Sequence, residues 1–299
     1  MKNIQDINDD EIRVIGHEPP KRNGHGKWWI WVALAAAIIA VVVLAVVLQR
    51  ENGGNIKTAP ADTTNQEPLT QSHNNATTQS QLWFNNIDNS TESSYLAIYD
   101  SVIDSLHLKV LTPYNATPEL YVGNLNESDT NILLAAMAAD IRRDNGKIVG
   151  AFVYAGEPLS WGLSKLGYCA ISEGSLTLGV AENSPLFEQA TEQGAYFFRQ
   201  YAAVDNGVAV KNNPENAAPR RALCIMGDKY CVVTTSDRVV MNDFCTALAK
   251  LGVSDAIFLV GGEAHGWWRD DEGTLTHFAQ GKQRTRNKKF MNYIVFRAN

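Results

Sequence analysis

A run of 21 residues without a single charged side chain, residues 28–48, constrains this chain more than any other feature. At 1.5 Å per residue a helix of that length spans about 31 Å, which matches a bilayer core of about 30 Å. Trp28, Trp29 and Trp31 stand at its leading end, where indole rings favour the headgroup layer. A buried core helix would show a polar stripe, and a cleaved signal peptide would have a shorter apolar run before a small-residue cleavage site. We therefore predict an uncleaved, single-pass transmembrane helix that acts as a signal-anchor.

The basic residues around this segment predict its orientation. Three of them lie within residues 21–27, and only two lie within residues 50–57. Since positive charge is retained on the cytoplasmic side, residues 1–27 are expected to be a short cytoplasmic tail. The C-terminal part of the chain is then periplasmic or extracellular.

Residues 49–81 have the composition of a linker. Ile56 and Leu69 are the only large apolar side chains in a stretch dominated by small and polar residues. Such a sequence cannot bury enough surface to offset its chain entropy, so we predict a disordered polar tether. Residues 82–299 then form the extracytoplasmic domain. The net charge of −6 argues against a nucleic-acid partner.

The pattern of residues 82–299 predicts an α+β fold, with one mostly antiparallel mixed sheet and packed helices. Aromatic and β-branched runs separated by turn residues predict strands through most of this region. Two helices are expected, one after Ser184 and one that begins with Asn242 as its cap and ends at Gly252. A third helix is suggested by apolar spacing within residues 95–106.

One predicted hairpin has a defined register. If Gly227 and Asp228 form a two-residue turn, Cys224 faces Cys231 in a hydrogen-bonded pair. The wide spacing of such pairs favours two small buried thiols over a disulfide, although an outer compartment leaves the disulfide open.

Six short motifs follow one another in a set order after residue 195: Arg199-Gln200-Tyr201, Asp205-Asn206-Gly207, Arg221-Ala222-Leu223, Thr235-Ser236, Asn242-Asp243-Phe244 and Leu259-Val260-Gly261-Gly262. This order resembles that of the phosphodiester glycosidase family. The resemblance covers about residues 131–297 and is best over residues 195–268. Val260 stands where the family has an Asp, and residues 134–138 lack the Asn of the corresponding family segment.

The resemblance implies hydrolysis of the bond between a sugar and a phosphodiester outside the cytoplasm. Arg221 is the expected phosphate clamp, because a guanidinium can hold two phosphate oxygens at once. Arg199 and Gln200 are further candidates for substrate binding on the preceding strand. Gly261 and Gly262 are expected to let backbone N–H groups cradle an oxyanion.

Three residues are candidates for the catalytic steps. Glu263 would act as general acid or base if burial raised its pKa, and His265 is the other titratable group at that position. Ser236 offers a hydroxyl, either as a catalytic group or as a strand-end hydrogen bonder. Trp267 suits a sugar platform, with a buried core aromatic as the alternative. Glu263, His265 and His277 have no recognisable ligand spacing, so neither a metal nor a cofactor is expected.

These observations predict a membrane-anchored hydrolase that acts on phosphodiester-linked sugars of the cell envelope. The alternative is a catalytically degenerate relative that binds an envelope glycan or protein partner, which the loss of the Asp at position 260 favours. A scaffold that recruits partners across the membrane is a more distant possibility.

Overall fold

The computed structural model describes residues 93–279 and 290–299. The predicted cytoplasmic tail, transmembrane helix and tether, together with the first residues of the predicted domain, lie outside these ranges. Within them, no helix is long and apolar enough to cross a bilayer.

The described residues form an antiparallel β structure with two helices, so the predicted α+β class is wrong. Three sheets replace the single predicted sheet, and every strand pairing in the described ranges is antiparallel. The strands are β1 (Tyr95–Ile103), β2 (Leu106–Tyr114), β3 (Ala116–Val122), β4 (Ile132–Met137), β5 (Ala151–Tyr154), β6 (Glu157–Trp161), β7 (Gly167–Ser172), β8 (Ser175–Val180), β9 (Tyr196–Gln200), β10 (Ala202–Asp205), β11 (Val208–Ala209), β12 (Arg221–Met226), β13 (Lys229–Thr234), β14 (Asp255–Phe258), β15 (Gly266–Arg269), β16 (Leu275–His277) and β17 (Asn292–Ala298).

The first sheet has seven strands in the order β1-β2-β13-β12-β14-β10-β11. The second has the order β16-β15-β4-β17-β3, and the third has the order β6-β5-β9-β7-β8. The two helices are α1 (Leu186–Glu192) and α2 (Met241–Leu251). The apolar face of α2, with Phe244 and Leu248 fully buried, packs in one core cluster with strands of the first sheet. Two short helices among this many strands cannot define a helical layer, which is why the fold is a β structure.

The helix suggested within residues 95–106 is a hairpin. Asp104 and Ser105 both have positive φ, 49° and 68°, and form a two-residue turn between β1 and β2. Consecutive positive φ values are the signature of the turn that matches the twist of paired strands. The aromatic and β-branched residues before this turn favour a strand because their side chains pack well on a pleated, half-buried surface.

The hairpin predicted around Gly227 and Asp228 is confirmed. Met226 pairs with Lys229, and Cys224 pairs with Cys231 in the predicted register. Both cysteines are buried free thiols, as are Cys169 and Cys245.

The end of α2 follows the prediction, but its beginning does not. Gly252 ends the helix in a left-handed conformation with φ 96°, which favours glycine. The residue that precedes the helix is Val240, and the Asn242 side chain exchanges two hydrogen bonds with the Asn212 backbone. Asn242 therefore fastens a neighbouring loop instead of capping the helix.

The segment after β14 joins the first two sheets. Leu259 N donates to Arg221 O at 2.9 Å, and Val260 N donates to Met137 O at 3.0 Å. The end of β14 thus lies beside the start of β12 and the end of β4. Three strand ends meet there, and the residues predicted to bind substrate follow directly.

Candidate functional site

Arg221 is the first residue of β12, and its side chain points inward. Only 2% of Arg221 is exposed, and its guanidinium carbon lies 3.6 Å from the centre of the Phe278 ring. Nη1 donates to Val260 O at 3.0 Å, whereas the buried Nε has no hydrogen-bond partner. Burial lowers the pKa of Arg221 to about 9. The side chain therefore keeps an unused donor in a setting where an unpaired charge is costly.

No carboxylate in residues 93–279 or 290–299 forms an ion pair with Arg221. Buried charges in proteins are normally paired. A buried guanidinium without such a partner is suited to an anion from outside the chain, and a phosphate fits its geometry.

The Gly261-Gly262 pair lets the chain pass close to the segment that leads directly into β12. A Cβ at Gly261 would lie 2.6 Å from the backbone oxygen of Pro219. Gly262 has a φ of 61°, and its N–H donates to the same Pro219 oxygen at 2.9 Å. The N–H of Gly262 is thus engaged within the protein, which removes it from the predicted oxyanion cradle.

His265 is held on both sides of its ring. Its Nδ1 lies 2.8 Å from the Tyr293 hydroxyl, and its Nε2 lies 2.9 Å from Oε1 of Glu127. Burial lowers the pKa of His265 and outweighs the opposing effect of Glu127, and the positive charge of Arg221 adds to the lowering. The imidazole is therefore neutral at pH 7, and it lies near enough to Arg221 to be affected by its charge.

Glu127 connects His265 to a second histidine. Its Oε2 lies 3.2 Å from Nε2 of His277, on β16. Partial burial raises the pKa of Glu127, but its hydrogen bonds to the two histidines outweigh this and lower the pKa overall. The carboxylate is therefore ionised at neutral pH and accepts from both rings.

Two of the predicted catalytic residues are not drawn into this arrangement. Glu263 and Ser236 are both exposed. Glu263 therefore lacks the burial on which its proposed role as a general acid depended. Ser236 lies in the loop after β13, and its hydroxyl makes no hydrogen bond to another of the described residues.

Trp267 is a core residue and not a sugar platform. It is fully buried in a cluster with Val295 and Tyr293, and its ring lies 5.1 Å from that of His265. The alternative interpretation of this residue, a buried aromatic, is the one that the structure shows.

Arg199 and Gln200 lie on β9 and serve other contacts. Arg199 donates to the carbonyl oxygens of Lys165, Ala181 and Glu182 at 2.7–3.0 Å, and so holds two loops together. Gln200 donates from Nε2 to Oδ2 of Asp140 at 3.0 Å. Neither contacts Arg221 among the described residues.

Gln200 belongs to a second polar cluster. Asp140 also accepts from the buried Lys165 ammonium at 2.5 Å. The attraction of Lys165, together with hydrogen bonds, offsets burial and lowers the pKa of Asp140. This cluster is internally neutralised, unlike Arg221.

The sequence interpretation missed Phe278 beside Arg221, Glu127 and Tyr293 beside His265, and Asp140 and Lys165 in the second cluster. Glu127 is separated from His265 by 138 positions, so no local spacing relates them. Phe278 precedes residues 280–289 and has no motif of its own. The only sequence feature that pointed to Asp140 as a site residue was its position just after a predicted strand.

No family model matches the chain, and no curated protein matches it. The fold is similar to that of the zebrafish N-acetylglucosamine-1-phosphodiester alpha-N-acetylglucosaminidase catalytic domain, auto-inhibited by its pro-peptide, with a TM-score of 0.50 and 12% identity. That alignment covers 71% of this chain and 85% of the zebrafish chain. A hypothetical protein from Synechocystis is also similar, with a TM-score of 0.52 and 12% identity over 69% of this chain and 62% of the other. At these identities the comparisons establish a distant relationship of fold.

Proposed function

We propose that this domain hydrolyses phosphodiester-linked sugars of the cell envelope and is held outside the cytoplasm by residues 28–48. The observation that carries the proposal is the buried guanidinium of Arg221, which has an unpartnered Nε and no carboxylate partner in the described ranges. The zebrafish protein of similar fold is named for cleavage of an N-acetylglucosamine phosphodiester. The motif order in residues 195–268 supports the same substrate class.

Arg221 would hold a non-bridging oxygen of the diester. Cleavage of the sugar–oxygen bond leaves a phosphate monoester, so negative charge grows on the phosphate during the reaction. A preorganised guanidinium in a buried setting stabilises that charge more strongly than water does. Phe278 covers a face of the guanidinium, whereas the N–H groups lie in its plane. Nε is buried, so the groups around it must move for the phosphate to reach it.

His265 lies near enough to Arg221 for the arginine's charge to lower the pKa of the histidine, and Glu127 is in contact with His265. The 2.9 Å contact between His265 and Glu127 fixes the positions of both side chains. The Glu127 side chain is 42% exposed, so a water molecule can reach it. An ionised carboxylate can accept a proton from a water that attacks the sugar. We assign water activation to this pair, in place of Glu263 and Ser236.

The test is hydrolysis of an N-acetylglucosamine-1-phosphodiester by the full chain in detergent, with released sugar measured. Arg221→Met should lower turnover about 100-fold, the typical loss when one charge-stabilising donor is removed. Arg238→Met is the matched control, because Arg238 is an exposed arginine beyond the same hairpin. Equal turnover in Arg221→Met and wild type would overturn the proposal.

A binding protein without catalysis is the second candidate, and Val260 favours it. Both backbone groups of Val260 are engaged, its N–H with Met137 O and its carbonyl with Arg221, and its side chain offers no acid where the family has Asp. This candidate predicts no turnover together with saturable binding of the phosphodiester, and the binding should be lost in Arg221→Met.

The membrane placement is proposed from the sequence. A reporter enzyme that is active only outside the cytoplasm, fused after residue 299, should be active in a bacterial host. Deletion of residues 28–48 should remove that activity. Reporter activity that survives the deletion would contradict the anchor.

A further inference from the structure

Three side chains with metal-ligating atoms converge beside β15. They are Glu127 from the loop between β3 and β4, His265 from the residue before β15, and His277 from the end of β16. One ligand atom from each lies within 4.8 Å of those from the other two. Strand pairing of Trp267 with His277 fixes the position of the second histidine relative to the first.

Both histidines present the same nitrogen to the carboxylate. His265 Nε2 lies 2.9 Å from Oε1 of Glu127, and His277 Nε2 lies 3.2 Å from Oε2. Ligand atoms on a metal with bonds of about 2.0–2.2 Å are separated by distances of this order. We infer that Glu127, His265 and His277 form a binding site for one divalent transition-metal ion, with Zn²⁺ as the best-suited ion.

The surroundings of His265 support this inference independently of the three ligands. Its Nδ1 lies 2.8 Å from the Tyr293 hydroxyl. Histidines that bind metal commonly use the second ring nitrogen in this way, which fixes the tautomer and directs Nε2 toward the ion. The Arg269 guanidinium also donates to the Glu127 carbonyl oxygen, so the loop that carries Glu127 is fastened to β15.

Exposure differs across the site. The side chain of His265 is 9% exposed, whereas those of Glu127 and His277 are 42% and 40% exposed. One side is therefore closed by the core, and the other is open to solvent. Two histidines, one carboxylate and an open side are typical of zinc sites that keep a water molecule as the fourth ligand.

The ligand set also selects the class of ion. Imidazole nitrogens suit Zn²⁺, Ni²⁺ and Cu²⁺, whereas Mg²⁺ and Ca²⁺ prefer an all-oxygen shell. The nearby positive charge of Arg221 opposes any cation, so we expect the ion to bind more weakly than it would in the same ligand set without that charge. The inference concerns binding alone. With an ion bound, Glu127 is a ligand, so the water-activating role proposed for it applies to the metal-free domain.

Isothermal titration of the full chain in detergent with Zn²⁺ tests the site. Wild type should bind one ion per chain, and His277→Ala and Glu127→Gln should each weaken binding at least tenfold. His277 is partly exposed, so its truncation does not threaten the core. His107→Ala is the control, since His107 is an exposed histidine that contacts Asp237 on the first sheet.

A Co²⁺ titration supplies a second readout. Wild type should develop the visible absorption bands of a four- or five-coordinate ion, and His277→Ala should not. Absence of stoichiometric Zn²⁺ binding by wild type would overturn the inference. So would equal affinities in wild type, His277→Ala and Glu127→Gln, because the three side chains would then be only a hydrogen-bonded group.

Discussion

Two arginines of this domain have the same 2% exposure but different hydrogen-bonding surroundings. Arg199, on β9, uses its guanidinium to donate to three carbonyl oxygens from two loops. Arg221, at the start of β12, makes one such bond and leaves Nε without a partner. The same side chain is therefore a structural clamp in one region and an unsatisfied cation in the other.

The difference shows that burial alone does not mark a functional arginine. Burial lowers the pKa of both residues, since a charged group loses hydration in either place. What distinguishes them is the number of acceptors provided by the protein. Where the protein provides too few acceptors, an external anion can supply the missing hydrogen-bond acceptor.

The largest effect is expected from the satisfied arginine. Arg199→Met removes the donor for three carbonyl oxygens, at about 1 kcal/mol or more for each, so the free energy of unfolding should fall by about 3 kcal/mol. Urea unfolding measures the change. Arg142→Met is the control, because Arg142 is an exposed arginine beside Asp144 and its loss should cost less than about 0.5 kcal/mol. Similar losses for both variants would mean that the three carbonyl contacts contribute little.

An intermediate effect is expected from Gly261→Ala. The new Cβ would lie 2.6 Å from the Pro219 oxygen, a backbone atom, so the loop that holds Arg221 must shift. We expect a loss of about 2 kcal/mol, of the size found for overpacked cores, together with weaker phosphodiester binding. Gly227→Ala serves as the comparison. Its Cβ meets open space, and only the strain of a φ of 60° remains, about 1 kcal/mol. If Gly261→Ala binds the phosphodiester as tightly as wild type does, the position of this loop does not affect the binding site.

A smaller effect on stability is expected from Arg221→Met. Replacing an unpaired buried charge with an apolar side chain should leave the free energy of unfolding unchanged or raise it by about 1 kcal/mol. Added inorganic phosphate should then stabilise wild type, by about 2.7 kcal/mol at a hundred times the dissociation constant, and not the variant. Urea unfolding with and without phosphate measures both quantities. If Arg221→Met is as unstable as Arg199→Met, Arg221 is a structural residue like Arg199. If phosphate still stabilises Arg221→Met, Arg221 does not bind the phosphate.

Part of this comparison could be predicted from sequence. The hairpin of β12 and β13 follows from a two-residue turn between alternating strands, and this placed Arg221 at a strand start with the correct register. Gly252 ended α2 as expected, because a left-handed residue there favours glycine. Both features are local, so short-range patterns specify them.

The partners of each arginine could not be predicted. The acceptors of Arg199 lie 17 to 34 positions away, and Val260, which accepts from Arg221, is 39 positions away. Glu127 reaches His265 across 138 positions because β4 and β15 are neighbours in the second sheet. The hairpin of β1 and β2 was missed for a different, local reason: the turn at Asp104 and Ser105 requires positive φ at two non-glycine residues, for which apolar spacing gives no signal.

The smallest expected effect is a pH response confined to the Arg221 region. Burial lowers the pKa of His265 below its usual value of about 6.5, so the unfolded chain takes up a proton at a higher pH than the folded one. Stability from this group is fully present above about pH 6.5, and it is lost as the pH falls toward the lower pKa of the folded state. Glu127 also has a lowered pKa, but it begins from about 4.3 and acts in a more acidic range.

His265→Gln keeps a polar side chain between Tyr293 and Glu127 and removes the titration. Urea unfolding at intervals from pH 7.5 to 5 should therefore show a loss of stability in wild type that is reduced in His265→Gln. His107→Gln, at an exposed position, should behave as wild type does. None of the described residues that Arg199 contacts is a histidine, so Arg199→Met should lower stability equally at each pH and leave the slope intact. If stability still falls with pH as steeply in His265→Gln as in wild type, other groups cause the acid sensitivity. The unpartnered Nε of Arg221 would then be the feature that distinguishes the Arg221 region from the Arg199 region.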